Sequence, residues 1–251
     1  GSEMCIRDSE ELDDFGDKEY ILYKIEKELN IQFNTRKQLV LKTMYAYIYR
    51  GGSLFDIDCL SLFGTNSFNL VWEKICADIM DNQLDVPLGA IKLPVPLKDG
   101  YDRKKKLIEL IEKPLWTATG KTAKDTLIPD LISICKVNNQ YQFIIFDAKY
   151  YNAHLEKGIA PTGQPGIESV TKQYLYQLAY QKFIEEHEFA SVKNCFLLPT
   201  ENSEIEDKGE VRMEILSNLG LQNIKTRLIP ADKAYDLYLS GRKMDIKSLD
   251  L

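Results

Sequence analysis

The stretch IPDLISICKVNNQYQFIIFDAKYY, from Ile128 to Tyr151, decides the fold of this 251-residue chain. Two runs rich in β-branched and aromatic residues flank the tripeptide Asn138–Gln140, a pattern that predicts a β-hairpin. The apolar runs nevertheless contain Asp130, Asp147 and Lys149, and charges are costly to bury unless they are paired or bind a metal. The hairpin therefore contains either a structural ion pair or a reaction centre.

The two aspartates of the hairpin are expected to converge. Asp147 and Lys149 share one face of the second strand, and Asp130 lies on the first strand at a comparable distance from the turn. Two convergent carboxylates repel each other unless a cation lies between them, and oxygen ligands favour Mg²⁺ or Mn²⁺. The Ala148 carbonyl offers a third oxygen, and the Lys149 ammonium could orient an attacking water.

A predicted helix upstream of the hairpin adds one candidate. In FNLVWEKICADIM, residues 68–80, the apolar residues form a single stripe at helical spacing. Glu73 lies at the edge of that stripe, about 60° from Cys76 on a helical wheel. It faces either a metal or solvent.

The helix predicted after the hairpin, residues 169–186, adds two more. We expect Leu175, Tyr176 and Phe183, together with Ala179, to form its buried face. Lys172 falls on the same stripe, so it either extends from the helix end toward water or points at the reaction centre. Gln173 lies one step round as a possible hydrogen-bond donor.

The rest of the pattern predicts an α/β fold. Further helices are expected at residues 20–30, 35–50 and 230–239, and further strands at 193–199, 211–218 and 224–229. The order helix, hairpin, helix, strand is typical of a mixed β-sheet flanked by helices. We therefore predict an α/β domain at residues 61–251, after an acidic, helical N-terminal segment at residues 1–60.

Charge is distributed unevenly along the chain. The net charge is −6, and residues 1–28 account for all of it, with ten acidic and four basic side chains. The remainder is neutral overall, so an acidic chain does not exclude a nucleic-acid partner. The first nine or so residues are expected to be a remnant of cloning or sequence assembly.

Composition also narrows the cellular setting. No apolar run is long enough to cross a membrane, and no secretory signal is visible. The five cysteines form no CxxC pair, which argues against zinc and suits a reducing cytoplasm. We expect a cytoplasmic protein without a membrane partner.

A basic stretch precedes the hairpin. Only three acidic residues oppose its seven basic ones between residues 101 and 124, so it is either a solvated face or a surface that follows DNA phosphates. The candidate nucleic-acid contacts in this stretch are Arg103, Lys104, Lys105, Lys106, Lys121 and Lys124.

Taken together, these residues resemble the PD-(D/E)xK nuclease superfamily. The match is Pro129-Asp130 followed by Asp147-Ala148-Lys149, with Glu73 upstream and Lys172-Gln173 downstream. Longer segments of the sequence are similar to the LlaJI family of restriction endonucleases, which is related to McrC-type nuclease subunits. These segments are VWEKIC, NQLD, TLIPD, FDAKYY and KQYLYQLAY. The resemblance covers roughly residues 65–240 and does not extend to residues 1–60.

The resemblance implies a restriction-endonuclease-like core and Mg²⁺-dependent hydrolysis of DNA, with Mn²⁺ as a substitute. Asp130, Asp147 and the Ala148 carbonyl would bind the metal, with Glu73 as a further ligand directly or through water. Lys149 would orient the attacking water, and Lys172 and Gln173 would be further residues of the active site. Some relatives act beside an AAA+ GTPase subunit of McrB type.

Three functions remain open from the sequence. The first is an endonuclease of a restriction or phage-defence system, acting on double-stranded DNA, for which a homodimer would supply two active sites. The second is a nuclease-like module that binds nucleic acid or a partner without cutting. The third is a nuclease for RNA or single strands.

Overall fold

A computed structural model describes residues 16–31, 35–49 and 67–251. The chain divides into two compact units, residues 1–64 and 65–251. In the first unit, α1 (Lys18–Ile31) and α2 (Thr35–Tyr49) confirm the two helices expected there. The expected cloning remnant at the start of the chain lies outside the described residues. None of the helices within the described ranges is long and apolar enough to cross a membrane.

The second unit contains a five-stranded mixed sheet, a two-stranded ribbon and three longer helices. Its elements are α3 (Phe68–Ile79), β1 (Leu115–Trp116), β2 (Lys121–Thr122), β3 (Leu131–Val137), β4 (Gln140–Ala148), α4 (Ile167–Glu186), β5 (Ser191–Thr200), β6 (Glu206–Val211), β7 (Ile224–Pro230) and α5 (Ala231–Leu239). Short 3₁₀ helices cover Leu88–Ala90, Leu107–Leu110, Glu214–Leu219 and Ile246–Leu249.

The sheet confirms the predicted α/β class. Its strand order is β3-β4-β5-β7-β6. The hairpin β3–β4 and the edge pair β6–β7 are antiparallel, whereas β4–β5 and β5–β7 are parallel. Two parallel strands need a crossover connection, and α4 supplies it between β4 and β5. The site expected at the end of β4 therefore lies where a central strand meets this crossover.

Strand β4 is buried on both faces. Ile144 and Phe146 pack in one core cluster with Trp72 of α3. The alternate residues Phe143 and Ile145 pack in a second cluster with residues of α4. This period of two explains why β4 reads as a continuous apolar run, as expected for a strand covered by helices on both sides.

A two-residue turn fixes the hairpin. Val137 pairs with Gln140, and the intervening Asn138 and Asn139 have φ of 48° and 67°. Positive φ at both positions matches the twist of the flanking strands, and asparagine tolerates it better than most residues. The resulting register pairs Leu131 with Phe146, so Asp130 and Asp147 are the next residues on the two strands.

One predicted strand is wrong. Residues 211–218 were expected to be extended, but β6 ends at Val211 and Glu214–Leu219 is a 3₁₀ helix. The true edge strand, EDKGEV, is charged and mostly solvent-facing. Edge strands are commonly protected by charge, so this one lacks the apolar signal on which the prediction depends.

The turn gives a testable prediction about stability. Asn139→Ala should lower the free energy of unfolding by about 1 kcal/mol, because alanine has a Cβ and lacks the local hydrogen bonds that help asparagine adopt positive φ. Asn139→Gly at the same position should not lower it, since glycine has no such penalty. Urea unfolding followed by circular dichroism measures both, and equal effects of the two substitutions would contradict this account of the turn.

Candidate active site

The hairpin register brings three charged side chains together at the end of β4. Lys149 Nζ donates a hydrogen bond to Asp147 Oδ1 at 2.9 Å and lies 3.5 Å from Asp130 Oδ2. Asp147 is 4% exposed, and the other two side chains are largely buried. The predicted convergence of Asp130, Asp147 and Lys149 is therefore present.

Main-chain hydrogen bonds hold this cluster in place. The Ala148 N–H donates to Asp130 Oδ2 at 2.9 Å, which links the first aspartate to the backbone between the other two residues. The Lys149 N–H donates to the Leu197 carbonyl on β5 at 2.9 Å. The same carbonyl accepts the Trp72 indole N–H at 3.1 Å. Helix α3, the end of β4 and β5 thus meet at one oxygen atom.

Proline precedes Asp130 for a structural reason. Continuing the β3–β4 register by two residues beyond Leu131 and Phe146 would put Pro129 opposite Ala148. Proline has no N–H and cannot donate to a facing carbonyl. The Ala148 carbonyl therefore receives no ladder hydrogen bond from that position and stays available as a ligand.

The surroundings of Asp147 oppose its ionisation. Burial, followed by the charge of Asp130, raises the pKa of Asp147 to about 7, while Lys149 acts in the opposite direction. Its Oδ2 atom is buried and has no hydrogen-bond partner. Lys149 Nζ is 2.9 Å from that oxygen, but the contact lacks hydrogen-bond geometry. One lysine therefore does not fully compensate two carboxylates.

Lys149 remains a cation in this arrangement. Burial alone would lower the pKa of Lys149, but the carboxylates of Asp147 and Asp130 outweigh burial and raise it. A lysine with a raised pKa is a hydrogen-bond donor and not a base at neutral pH.

Tyr176 is a further neighbour of this cluster, one that the sequence motifs did not predict. Burial, followed by the charges of Asp147 and Asp130, raises the pKa of Tyr176 to about 12. Its hydroxyl donates to the Ile128 carbonyl at 3.0 Å. Tyr176 was assigned only to the buried face of α4. Tyr176 lies three residues after Gln173, so both side chains lie on one side of the helix. This spacing could have indicated that Tyr176 is near the predicted site.

The donor set fits a hard divalent cation. It combines the Ala148 carbonyl with two carboxylates, and the buried Oδ2 of Asp147 contacts Lys149 but makes no hydrogen bond. The described ranges hold no group of three or more His, Cys, Asp or Glu side chains arranged to bind a metal. Burial and the charge of Asp130 raise the pKa of Glu73, so Glu73 lies within electrostatic range. It fits a role through water better than a direct one.

The prediction for Lys172 on α4 is wrong. Lys172 is exposed and pairs with Glu168 at 2.5 Å, one turn earlier on the outer surface. Leu175, expected on the buried face, is 40% exposed. The buried face is rotated toward glutamine and tyrosine residues, because those side chains find polar partners on the sheet and in the segments that precede it. It consists of Val170, Gln173, Tyr174, Tyr176, Gln177, Tyr180, Phe183 and Ile184.

Gln173 is fully buried but bonds to the sheet and not to the cluster. Its Nε2 donates to the Ile145 carbonyl at 2.7 Å and lies 3.4 Å from Asn194 Oδ1. Ile145 precedes Asp147 by two residues on β4. Gln173 therefore connects α4 to the strand that carries the site.

The candidate DNA-contacting residues are all exposed. Lys106 pairs with Asp85 at 2.8 Å, and Arg103 packs against Gly89. Lys121 belongs to β2 of the two-stranded ribbon, and Lys124 follows it. Their role in binding nucleic acid stays a prediction.

The raised pKa of Asp147 predicts a pH-dependent stability. In metal-free buffer the folded chain binds the Asp147 proton more tightly than the unfolded chain, so ionisation costs stability as pH rises from about 4 toward 7. Asp147→Asn should therefore stabilise the protein at pH 8 and have a smaller effect at pH 5. Urea unfolding in EDTA measures the difference, and a gain equal at both pH values would refute this origin.

A known protein family matches most of this chain. The model of the LlaJI restriction endonuclease family matches residues 4–95 and 98–230. The match begins near the start of the chain, so it includes the N-terminal segment, to which the resemblance based on motifs alone did not extend. No solved structure matches the chain significantly.

A curated relative agrees with this family. The chain is 28% identical over 232 residues to the type II restriction enzyme BsuMI component YdjA of Bacillus subtilis. That alignment covers 90% of this chain but only 44% of the relative, so the chain spans less than half of the relative's length. The family model covers most of the chain, and the chain belongs to the LlaJI restriction endonuclease family.

Proposed function

We propose that this protein is a Mg²⁺-dependent endonuclease that hydrolyses phosphodiester bonds of double-stranded DNA in a restriction or phage-defence system. The observation that carries the proposal is the cluster of Asp130, Asp147 and Lys149 at the end of β4. Membership in a restriction endonuclease family and a relative named as a restriction enzyme component support it.

Asp130, Asp147 and the Ala148 carbonyl would hold the metal, with Glu73 contributing through water. Mg²⁺, when bound there, neutralises phosphate charge and makes a water more acidic. Mn²⁺ offers similar chemistry with the same oxygen ligands. Such a cation would favour the ionised form of Asp147, because burial and Asp130 raise the pKa of this carboxyl in its absence.

Lys149 would act as a hydrogen-bond donor. Its raised pKa keeps it protonated, so the ammonium can orient the attacking water and stabilise negative charge on the phosphate as it develops. Proton removal from that water then belongs to another group. Lys172 has no place in this arrangement, because its side chain pairs with Glu168 on the outer face of α4.

We also propose that the chain works with other subunits. Its relative is named as one component of an enzyme and is more than twice as long as the aligned region. A GTPase of McrB type is one candidate partner, and a homodimer would place one active site on each DNA strand. We expect the protein in the cytoplasm, where its DNA substrate lies.

A plasmid cleavage assay tests the catalytic role of Lys149. With Mg²⁺ the wild-type chain should nick and then linearise supercoiled DNA, and EDTA should abolish the reaction. Lys149→Ala should cut at least about a hundredfold more slowly, a typical loss for a group that stabilises transition-state charge. The matched control is Lys172→Ala, which removes an identical charge from the outer surface and should retain activity.

The variants Asp130→Asn and Asp147→Asn should also be inactive. Normal cutting by Asp147→Asn would refute the site assignment. A second function has some support, because Lys149 contacts both carboxylates as it would in a purely structural ion cluster. A wild-type chain that binds DNA but never cuts it, with Mg²⁺ or Mn²⁺ and with its partner subunits, would favour a non-cleaving binding module.

Metal binding can be measured without catalysis. Mg²⁺ or Mn²⁺ should raise the melting temperature of the wild-type chain at pH 8, because a ligand that binds only the folded state stabilises it. The double variant Asp130→Asn/Asp147→Asn should melt at the same temperature with and without the metal. Asp85→Asn is the control, since it removes an exposed carboxylate outside the cluster. An equal metal response in the double variant would place the metal elsewhere.

A further inference from the structure

Among the residues that the structure describes, the most exposed aromatic ring lies on the ribbon β1–β2. The chain has two tryptophans. Trp72 is completely buried, whereas Trp116 is 66% exposed, and its neighbour Leu115 is 61% exposed. A large ring left in water at the end of a short ribbon forgoes the burial that normally stabilises aromatic side chains. Its position makes the ring accessible to a partner outside the chain.

Hydrogen bonds make the ribbon a defined platform. The N–H groups of Thr119 and Gly120 both donate to the Trp116 carbonyl, at 3.0 and 2.9 Å. Gly120 has φ of +65°, which closes the turn. At the base, the Ala123 N–H donates to the Pro114 carbonyl at 2.7 Å. The backbone that carries Trp116 is therefore held in one conformation, which lowers the entropy cost of binding through it.

Basic side chains outnumber acidic ones around the ring. Trp116 pairs directly with Lys121 across the ribbon, and directly opposed residues of antiparallel strands project from the same face. Lys113 and Lys124 flank the two strands, and the acidic residues Glu112 and Asp125 follow only beyond them. An aromatic ring beside a lysine, on a ribbon without an acidic side chain of its own, complements a base next to a phosphate.

Both ends of the ribbon are anchored to the sheet that carries the site. Ile111, before β1, and Leu127, after β2, pack in the same core cluster as Ile132 of β3. The Thr126 hydroxyl donates to the Glu112 carbonyl at 2.7 Å and ties the two ends together. Residues 123–129 then lead directly from β2 to Asp130. A DNA strand bound by the ribbon is thus linked, through residues 123–129, to the hairpin that carries the candidate site.

We propose that the β1–β2 ribbon is a DNA contact in which Trp116 stacks on an unpaired base and Lys121 binds the adjacent phosphate. Positively charged surfaces with stacking aromatic rings are a recurrent way of binding single strands. The proposal rests on the proposed function, because it assigns a DNA-binding element to that same enzyme. It adds a residue, Trp116, that carries no catalytic group.

The two tryptophans make the contact directly measurable. The experiment uses the full chain with Asp147→Asn, which should prevent cutting, and a mixed-sequence oligonucleotide as a single strand and as a duplex. The single strand should quench the emission of Trp116. The same chain with Trp116→Phe reports Trp72 alone and should show no quenching, while it keeps most of the affinity because phenylalanine still stacks.

Affinity gives the second readout. In fluorescence anisotropy at low salt, Trp116→Ala should bind the single strand about tenfold more weakly, the loss expected when one base loses its stacking partner. Lys121→Ala should reduce the slope of log K against log salt by about 0.7, the value for one lost phosphate contact on a single strand. Lys136→Ala removes an exposed lysine at the opposite end of the β3–β4 hairpin and should change neither quantity.

The outcomes separate the two proposals. Quenching of Trp116 together with weaker binding by Trp116→Ala supports the contact. Unchanged affinity and emission in a chain that still binds DNA would overturn it, leave the nuclease proposal in place and assign the exposed ring to a protein partner. A parent chain that binds neither DNA form would overturn the DNA-directed function and this contact with it.

Discussion

The register of the β3–β4 hairpin is the constraint on which the candidate site depends. A shift of one residue turns every side chain of a strand to the opposite face, so it would separate Asp147 from Asp130 and exchange the residues of β4 between the two core clusters. The two-residue turn at Asn138 and Asn139 excludes this shift at one end. At the other end, the hydrogen bond from Ala148 to Asp130 closes the same register. Fold and chemistry are thus specified by one strand pair.

The site is supported mainly by backbone hydrogen bonds. The Leu197 carbonyl binds both the Lys149 N–H and the Trp72 indole, and it thereby fixes the end of β4 relative to α3. Groups built on strands and helices keep their geometry better than groups on loops. The cluster can therefore hold two carboxylates close together although their repulsion opposes this, because the surrounding sheet determines where their main chains lie.

How much could be predicted from sequence depended on the range of the interactions. The hairpin and its three charged residues were predictable, because turn chemistry and a period of two are local signals. The face of α4 was not, because Gln173 is buried by its bond to the Ile145 carbonyl, a partner provided only by the folded sheet. The same rotation moves Lys172 to the surface. Strand β6 was missed because its charged residues give no apolar pattern.

The burial of Asp147 has an evolutionary consequence. A buried acid that opposes folding is a position where replacement by asparagine increases stability, and mutation supplies such replacements continually. A copy of this chain that no longer needed the site would gain stability by losing the acid. Such copies should therefore lose Asp147 before they lose the fold, and under the proposed function the trio of Asp130, Asp147 and Lys149 is what selection for the chemistry would preserve.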